Sequence, residues 1–230
     1  MNRLKKLSIV LVVAISAMTG SLYGQPAKLF DVGSLKFAGR IGVNFSGQVY
    51  KQEIDFPVGG VPIKDIEFQR KPGVQLGIVV DYDRRKSYVI QSGLFFSQQG
   101  YIAEIPFLRK EEVTLNYIHA PVFFQYKRSV DVGEVHWILQ TGAYVGVAVG
   151  GKNEINGQNE NIKFGSGRDS DFRRFDFGVG FGGGIQLNKF QLGVVYNIGL
   201  ANLVPYTPHD AAITSIRNNQ LTVNLSYFFQ

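Results

Sequence analysis

Cysteine is missing from all 230 residues, so disulfides and thiolate metal sites are excluded and the chain must be held together without covalent staples. Past the N-terminus no run of 18 apolar residues occurs, which excludes helical membrane spans. Charge is scarce: Asp, Glu, Lys and Arg make up 18% of the residues, against about 25% in an ordinary globular domain. The basic residues are scattered through turns and loops with no aromatic-interleaved patch, so nothing supports nucleic-acid binding. The three His lack the spacing of metal ligands. No cofactor is expected.

What is present begins with Asn2, Arg3, Lys5 and Lys6, then an apolar stretch from Leu7 to Ala17, then small and polar residues from Ser21 to Gly24. This is the pattern of a cleaved secretory signal peptide over residues 1–24. Its loss removes three basic residues and lowers the formal charge from +6 to +3. A short periplasmic segment, 25–34, and a single domain over 35–230 are expected to follow.

That domain is organised around Arg173 to Leu200. Phe175, Phe177, Val179, Phe181, Ile185 and Leu187 share one parity, while Asp176, Gly178, Gly180, Gly182, Gly184 and Gln186 share the other. After Asn188 and Lys189 the alternation resumes, with Phe190, Leu192, Val194, Tyr196 and Ile198 against Gln191, Gly193, Val195, Asn197 and Gly199. A period of two on both sides of a two-residue break predicts a β-hairpin. The second face, of Gly, Gln and Asn with few charges, makes a poor soluble exterior but a reasonable narrow lumen. The Phe/Val/Leu/Ile face then points outward, which requires lipid as the surrounding solvent.

The same alternation recurs near Leu35–Gln48, Pro72–Asp83, Ser87–Gln99, Glu111–Lys127, Val135–Val149 and Asn218–Phe229. The fourth strand is apolar on both parities. Placing Ile118, Ala120, Val122, Phe124 and Tyr126 outward leaves Tyr117, His119, Gln125 and Lys127 inside, and Pro121 predicts a local irregularity because it lacks a ladder donor. The count is eight, with longer connections expected after strands 1, 3, 5 and 7 (Tyr50–Lys71, Gly100–Lys110, Gly150–Asp171 and Ala201–Arg217) and short turns after 2, 4 and 6. Short periplasmic turns, longer outer loops and an even strand number characterise outer-membrane barrels. The expected fold is therefore an all-β, eight-stranded antiparallel up-and-down transmembrane β-barrel closed by strands 1 and 8, with both termini periplasmic. Phe37, Tyr82, Tyr88, Tyr126, Trp137, Phe190, Tyr227 and Phe229 fall at one rim as a periplasmic aromatic girdle.

Arg40, Asp81, His119, Lys127, Tyr144, Asp176 and Gln186 form the expected polar network of the lumen. An eight-stranded barrel is barely wider than its own side chains, so this network is expected to plug the barrel; a narrow polar pore or a small ligand cavity is the alternative. The glycines at 178, 180 and 182–184 lack the helix and Lys-Ser/Thr pair of a phosphate loop and suit small lumen positions opposite Tyr117, Tyr144, Phe95 or Phe228. Asp169, Ser170 and Asp171, with His209 and Asp210, contain the residue types of a hydrolase or a Ca²⁺ site, but loop composition yields such sets readily. No catalytic residue or metal site is assigned, and the protein is expected not to be an enzyme.

RIGVNFS at Arg40–Ser46, KPGVQLGIVVDY and SGLFFSQQGY across strands 2 and 3, LNYIHAPVFFQYK on strand 4, and FDFGVGFGGGIQL with QLGVVYNIGLANL on strands 6 and 7 resemble the PorT-like "porin family" outer-membrane β-barrels of Bacteroidota. The resemblance implies an outer-membrane location, surrounding outer-membrane lipid, and insertion by the barrel-assembly machinery through the C-terminal strand. In strand 4, His119 stands where such relatives often have Glu, and Gln230 follows the usual terminal aromatic. The implied role is structural, with four loops presented to an unidentified protein or small solute. A narrow diffusion channel and an accessory part of a type IX secretion system are the alternatives.

Overall fold

The computed structural model describes residues 35–52, 57–58, 61–62, 67–85, 87–105, 109–130, 135–155, 157–167, 169–205 and 213–229; the expected signal peptide and 25–34 segment lie outside them. Eight strands form the wall: β1 (Leu35–Gln52), β2 (Glu67–Arg85), β3 (Tyr88–Ile105), β4 (Arg109–Ser129), β5 (Val135–Ile155), β6 (Phe175–Leu187), β7 (Phe190–Gly199) and β8 (Ile213–Phe228). Each pairs antiparallel with its chain neighbours, and β1 pairs with β8 from Ala38↔Phe228 to Gln52↔Ile213. The sheet thus closes on itself, and no wall strand is left with a free edge to hydrogen-bond lipid. Outside the ring, Pro57–Val58 pairs with Val61–Pro62, and Gln158–Asn161 folds back on the end of β5.

Burial is inverted relative to a water-soluble protein. Ile41, Leu76, Ile78, Leu94, Phe124, Leu139 and Phe177 are exposed, while Asn44, Asp81, Gln91, Gln125, Gln191 and Ser226 are buried. A soluble chain would not leave such a continuous apolar belt in water while enclosing amides and charges. Lipid makes both choices favourable, since the barrel interior supplies the polar partners that hydrocarbon lacks. The fourth strand follows the expected phase: Tyr117, His119, Gln125 and Lys127 are buried, and Val122, Phe124 and Tyr126 are exposed.

Asn188 makes the turn of the β6–β7 hairpin possible. Its φ of 52° is in the left-handed region that Asn tolerates better than most side chains. Gln186 Nε2 donates to its carbonyl at 3.1 Å. Pro121 brings the expected local irregularity. Toward β3 the pairing lapses at Ala120 and Pro121 and resumes in the same register, and Ser92 Oγ donates to the Pro121 carbonyl at 2.8 Å. The register shift of β4 lies instead at Asn116/Tyr117, against β5.

Strand lengths depart most from expectation. A tilted strand crosses hydrocarbon in about 9–11 residues, yet β2 to β5 have 19, 18, 21 and 21, so they stand well beyond the membrane at the loop end. Gly100–Lys110, expected as a long loop, is ladder: pairing continues through Tyr101↔Val113 to Ile105↔Arg109, leaving only 106–108 between the strands. Outside hydrocarbon the period-two contrast between faces is no longer enforced. The pattern that marks a strand fades there while its hydrogen bonds continue. By contrast β6 and β7 stop early, with 13 and 10 residues.

Candidate functional site

The lumen is occupied in three layers. At the end bearing the short turns, Lys127 Nζ meets Asp81 Oδ2 at 2.9 Å and donates to Gln186 Oε1 at 3.1 Å. Arg40 does not reach Asp81 directly. Its Nη2 donates to Gln91 Oε1 at 2.7 Å, and Gln91 Nε2 donates to Asp81 Oδ1 at 2.6 Å. Arg40 Nε donates to Ser226 Oγ at 2.7 Å, and the guanidinium lies over the Phe95 ring at 5.5 Å. Two cations thus share one buried carboxylate, with an amide relaying the second. Beside them Gln125 Nε2 donates to Gln140 Oε1 at 2.7 Å.

The middle layer is aromatic and amide. The His119 ring stacks on Tyr144 at 5.1 Å, lies tilted to Tyr117 at 5.5 Å, and sits 3.1 Å from Gln99 Nε2. Asp176 accepts from Asn218 Nδ2 at 3.0 Å, and Tyr144 faces the same carboxylate. Gln220, Ser97, Asn44 and Thr222 continue the chain of hydrogen bonds across the lumen. The seven expected polar residues therefore belong to two networks. Arg40, Asp81, Lys127 and Gln186 form one; His119, Tyr144 and Asp176 belong to the other. Asp176 and His119 are held by hydrogen bonds and rings of their own rather than by Arg40 or Lys127. Between the layers lies a cavity of about 30 Å³ lined by Arg40, His119, Tyr144, Asn197 and Asn224 among others, room for a water or so.

Several inward glycines lie beside rings, and a Cβ there would also press on a cross-strand carbonyl, at Gly178 that of Ile198. A Cβ at Gly178 would come within 2.7 Å of Tyr144 Cε1, and one at Gly142 or Gly180 within 2.9 Å of Phe123; Gly77 and Gly93 leave the same room beside Phe95. Tyr144 and Phe95 were among the bulky partners expected from the sequence, and Phe123 was not. Gly178→Ala should therefore cost about 1–3 kcal/mol through overpacking, read as a lower urea midpoint at unchanged m-value.

The third layer closes the loop end. Tyr101 and Ala103 of β3, Val113, Leu115 and Tyr117 of β4, and Ala148 of β5 turn inward and meet Ile162, Phe172, Ala201 and Leu203 from the two connections flanking the β6–β7 hairpin. Backbone hydrogen bonds fasten this cap: Ala148 N to Arg174 O at 2.8 Å, Arg173 N to Leu203 O at 2.8 Å, and Leu203 N to Ile216 O at 2.9 Å. The stretch Gly150–Asp171, expected as a polar loop exposed to water, is largely exposed but is not all loop. Its first residues extend β5, and Ile162 with Phe172 is buried against the wall. The signal that marks the cap in the sequence is the apolar double parity of β4, where Val113, Leu115 and Tyr117 supply an apolar inner face instead of a polar one.

The remaining candidates stay apart. Asp171 Oδ2 accepts from Lys163 N at 2.7 Å and Ser170 N donates to Gly167 O at 3.3 Å, which are turn contacts; His209 and Asp210 lie outside the described residues. Among the described residues no group of His, Cys, Asp and Glu could hold a metal ion. At the turn end, Phe37, Tyr88, Tyr126, Trp137, Phe190, Tyr227 and Phe229 are exposed and Tyr82 is half-buried. Tyr88 lies 5.4 Å from Tyr126, and Tyr227 lies 5.1 Å from Phe190 and 5.9 Å from Phe229.

A family described as outer membrane protein beta-barrel domain matches residues 24–204. None of the curated proteins compared matches the chain. Solved structures with a similar fold include the outer membrane protein OprG from Pseudomonas aeruginosa, with 12% identity over 85% of this chain and 96% of that one and a TM-score of 0.47. They also include Neisserial surface protein A, with 11% identity over 83% and 96% and a TM-score of 0.44. A third is Ail, the attachment invasion locus protein of Yersinia pestis, with 15% identity over 84% and 98% and a TM-score of 0.40.

Proposed function

This chain belongs to the outer membrane protein beta-barrel domain family, and from that premise we propose that it is a closed, non-enzymatic barrel of the bacterial outer membrane whose work is done at its loop end. Membership of the family carries the location and the surrounding lipid, while the role must come from the site. The single observation that supports a closed barrel is the cap, in which Leu115, Tyr117 and Leu203 are fully buried across the loop-end mouth. A permeating solute would have to displace that apolar cluster, the Tyr117–His119–Tyr144 rings and the Lys127–Asp81 pair in turn.

The short turns and the termini face the periplasm in this reading, and the tall β2–β5 wall with the cap faces outward, as the asymmetry of turn and loop lengths in such barrels suggests. Residues 1–24 direct export, and β8, ending in Tyr227 and Phe228, is the strand offered to the assembly machinery. The exposed outer wall and the hairpin ending in Gln158–Asn161 are the surfaces left for a partner. Planar-bilayer recording of the purified protein checks the closed state. An electrically silent film is expected, and discrete conductance steps at modest voltage would establish the diffusion channel in its place.

A further inference from the structure

Three arginines stand at one level on the outside of the barrel. Arg217 in β8 is opposite Val49 of β1, and Arg70 in β2 runs its stem past Gly47 of β1 to lie over the Tyr196 ring at 5.8 Å. Arg173 precedes Phe175 at the loop end of β6, and its backbone is tied through Leu203 to Ile216, the residue before Arg217. All three are exposed. Among the described residues none has a carboxylate partner, whereas Lys36 at the other end is paired with Asp83 at 3.1 Å and Lys71 with Glu112 at 2.8 Å. Asp171, the acid nearest Arg173 in the chain, already receives the Lys163 amide.

Their level and exposure are what make them informative. Each lies just past the stretch a tilted strand needs to cross hydrocarbon, on the side where β6 and β7 stop short. Below them the surface is apolar and aromatic, with Phe45, Phe175, Phe181 and Tyr196, the last two rings 5.7 Å apart. A guanidinium held there on an aromatic face meets the headgroup layer and little else. Arginine forms paired hydrogen bonds to phosphate oxygens and is readily desolvated, which suits it to that layer.

We propose that Arg70, Arg173 and Arg217 form a basic crown that binds the phosphates of phosphorylated glycolipid in the outer leaflet, with Tyr196 holding Arg70 in position. The inference rests on the loop end facing outward. Its ligand is a lipid-borne phosphate, because the aromatic belt directly below offers the acyl chains and sugar of the same molecule a surface to lie against.

The test uses the full mature chain in neutral detergent, titrated by native mass spectrometry with diphosphorylated lipid A and with the same lipid after removal of its phosphates. Phosphate-dependent adducts are expected for the native chain. They should weaken roughly tenfold or more in R70Q/R217Q and return in part in R70K/R217K, with heat-modifiable migration on gels showing that every variant is folded. Equal binding of the dephosphorylated lipid, an unchanged R70Q/R217Q, or full displacement by millimolar inorganic phosphate would overturn the proposal. Since the chain has no native cysteine, labelling of Gln158→Cys on intact cells with an impermeant maleimide tests orientation separately. An unlabelled thiol there would overturn the outward-facing crown even if the lipid binds in detergent.

Discussion

Asp81→Asn is expected to cost about 3–5 kcal/mol of unfolding free energy, the loss typical of a buried charge network stripped of one partner. Asp81 is fully buried and is the one carboxylate facing both Lys127, at 2.9 Å, and Arg40 through Gln91. Neutralising it leaves two enclosed cations with amides for company. Lys127→Met should cost distinctly less, because Arg40 still balances Asp81 through the Gln91 amide. Urea titration in lipid vesicles, followed by the fluorescence of Trp137, reads both. If the two variants lose the same stability, or if Asp81→Asn loses less than about 1 kcal/mol, the lumen is wetter than its geometry implies, and the ion pair is screened.

Val179→Arg is expected to cost about 2–4 kcal/mol, the depth-dependent penalty for a cation on the lipid face of a barrel. Val179 is exposed on β6 beside Ala143 and Ile198, within the apolar belt. Leu200→Arg, exposed just past the loop end of β7, should cost only about 0–1 kcal/mol, since the guanidinium can reach headgroups. Gln186→Arg, at first sight a lumen control, is a poor one: Gln186 accepts from Lys127, so the variant would set a second cation against the first. Equal tolerance of Val179→Arg and Leu200→Arg would show that the exposed apolar face is not immersed in lipid.

The wall was legible because lipid and lumen impose opposite demands on successive residues. The β6–β7 hairpin is the clearest case: its Asn188–Lys189 turn and the sides faced by the alternating residues of Phe175–Leu187 and Phe190–Gly199 follow from period two alone. The phase of β4 was recoverable despite its apolar character, since Gln125 and Lys127 share the parity of His119. Strand ends were not legible at the loop end. There β2 to β5 pass out of hydrocarbon, both faces meet mixed surroundings, and Tyr101, Ile102 and Ala103 look like loop while forming ladder. The cap escaped for a related reason. Ile162, Phe172 and Leu203 are isolated apolar residues in polar sequence, and only the return of two connections over the mouth brings them together.

The amino-acid order by itself determined that this chain is a closed sheet in lipid, how many strands it has and which side chains look inward, because each of these depends on neighbours one or two residues apart. Which inward groups touch was decided only by the tertiary structure. Arg40 is 51 positions from Gln91, and Asn218 is 42 from Asp176. Their pairing is set by the stagger with which the strands close, and that stagger divided one expected polar network into two and placed an apolar cap above them. The common level of Arg70 in β2, Arg217 in β8 and Arg173 just before β6 has the same origin.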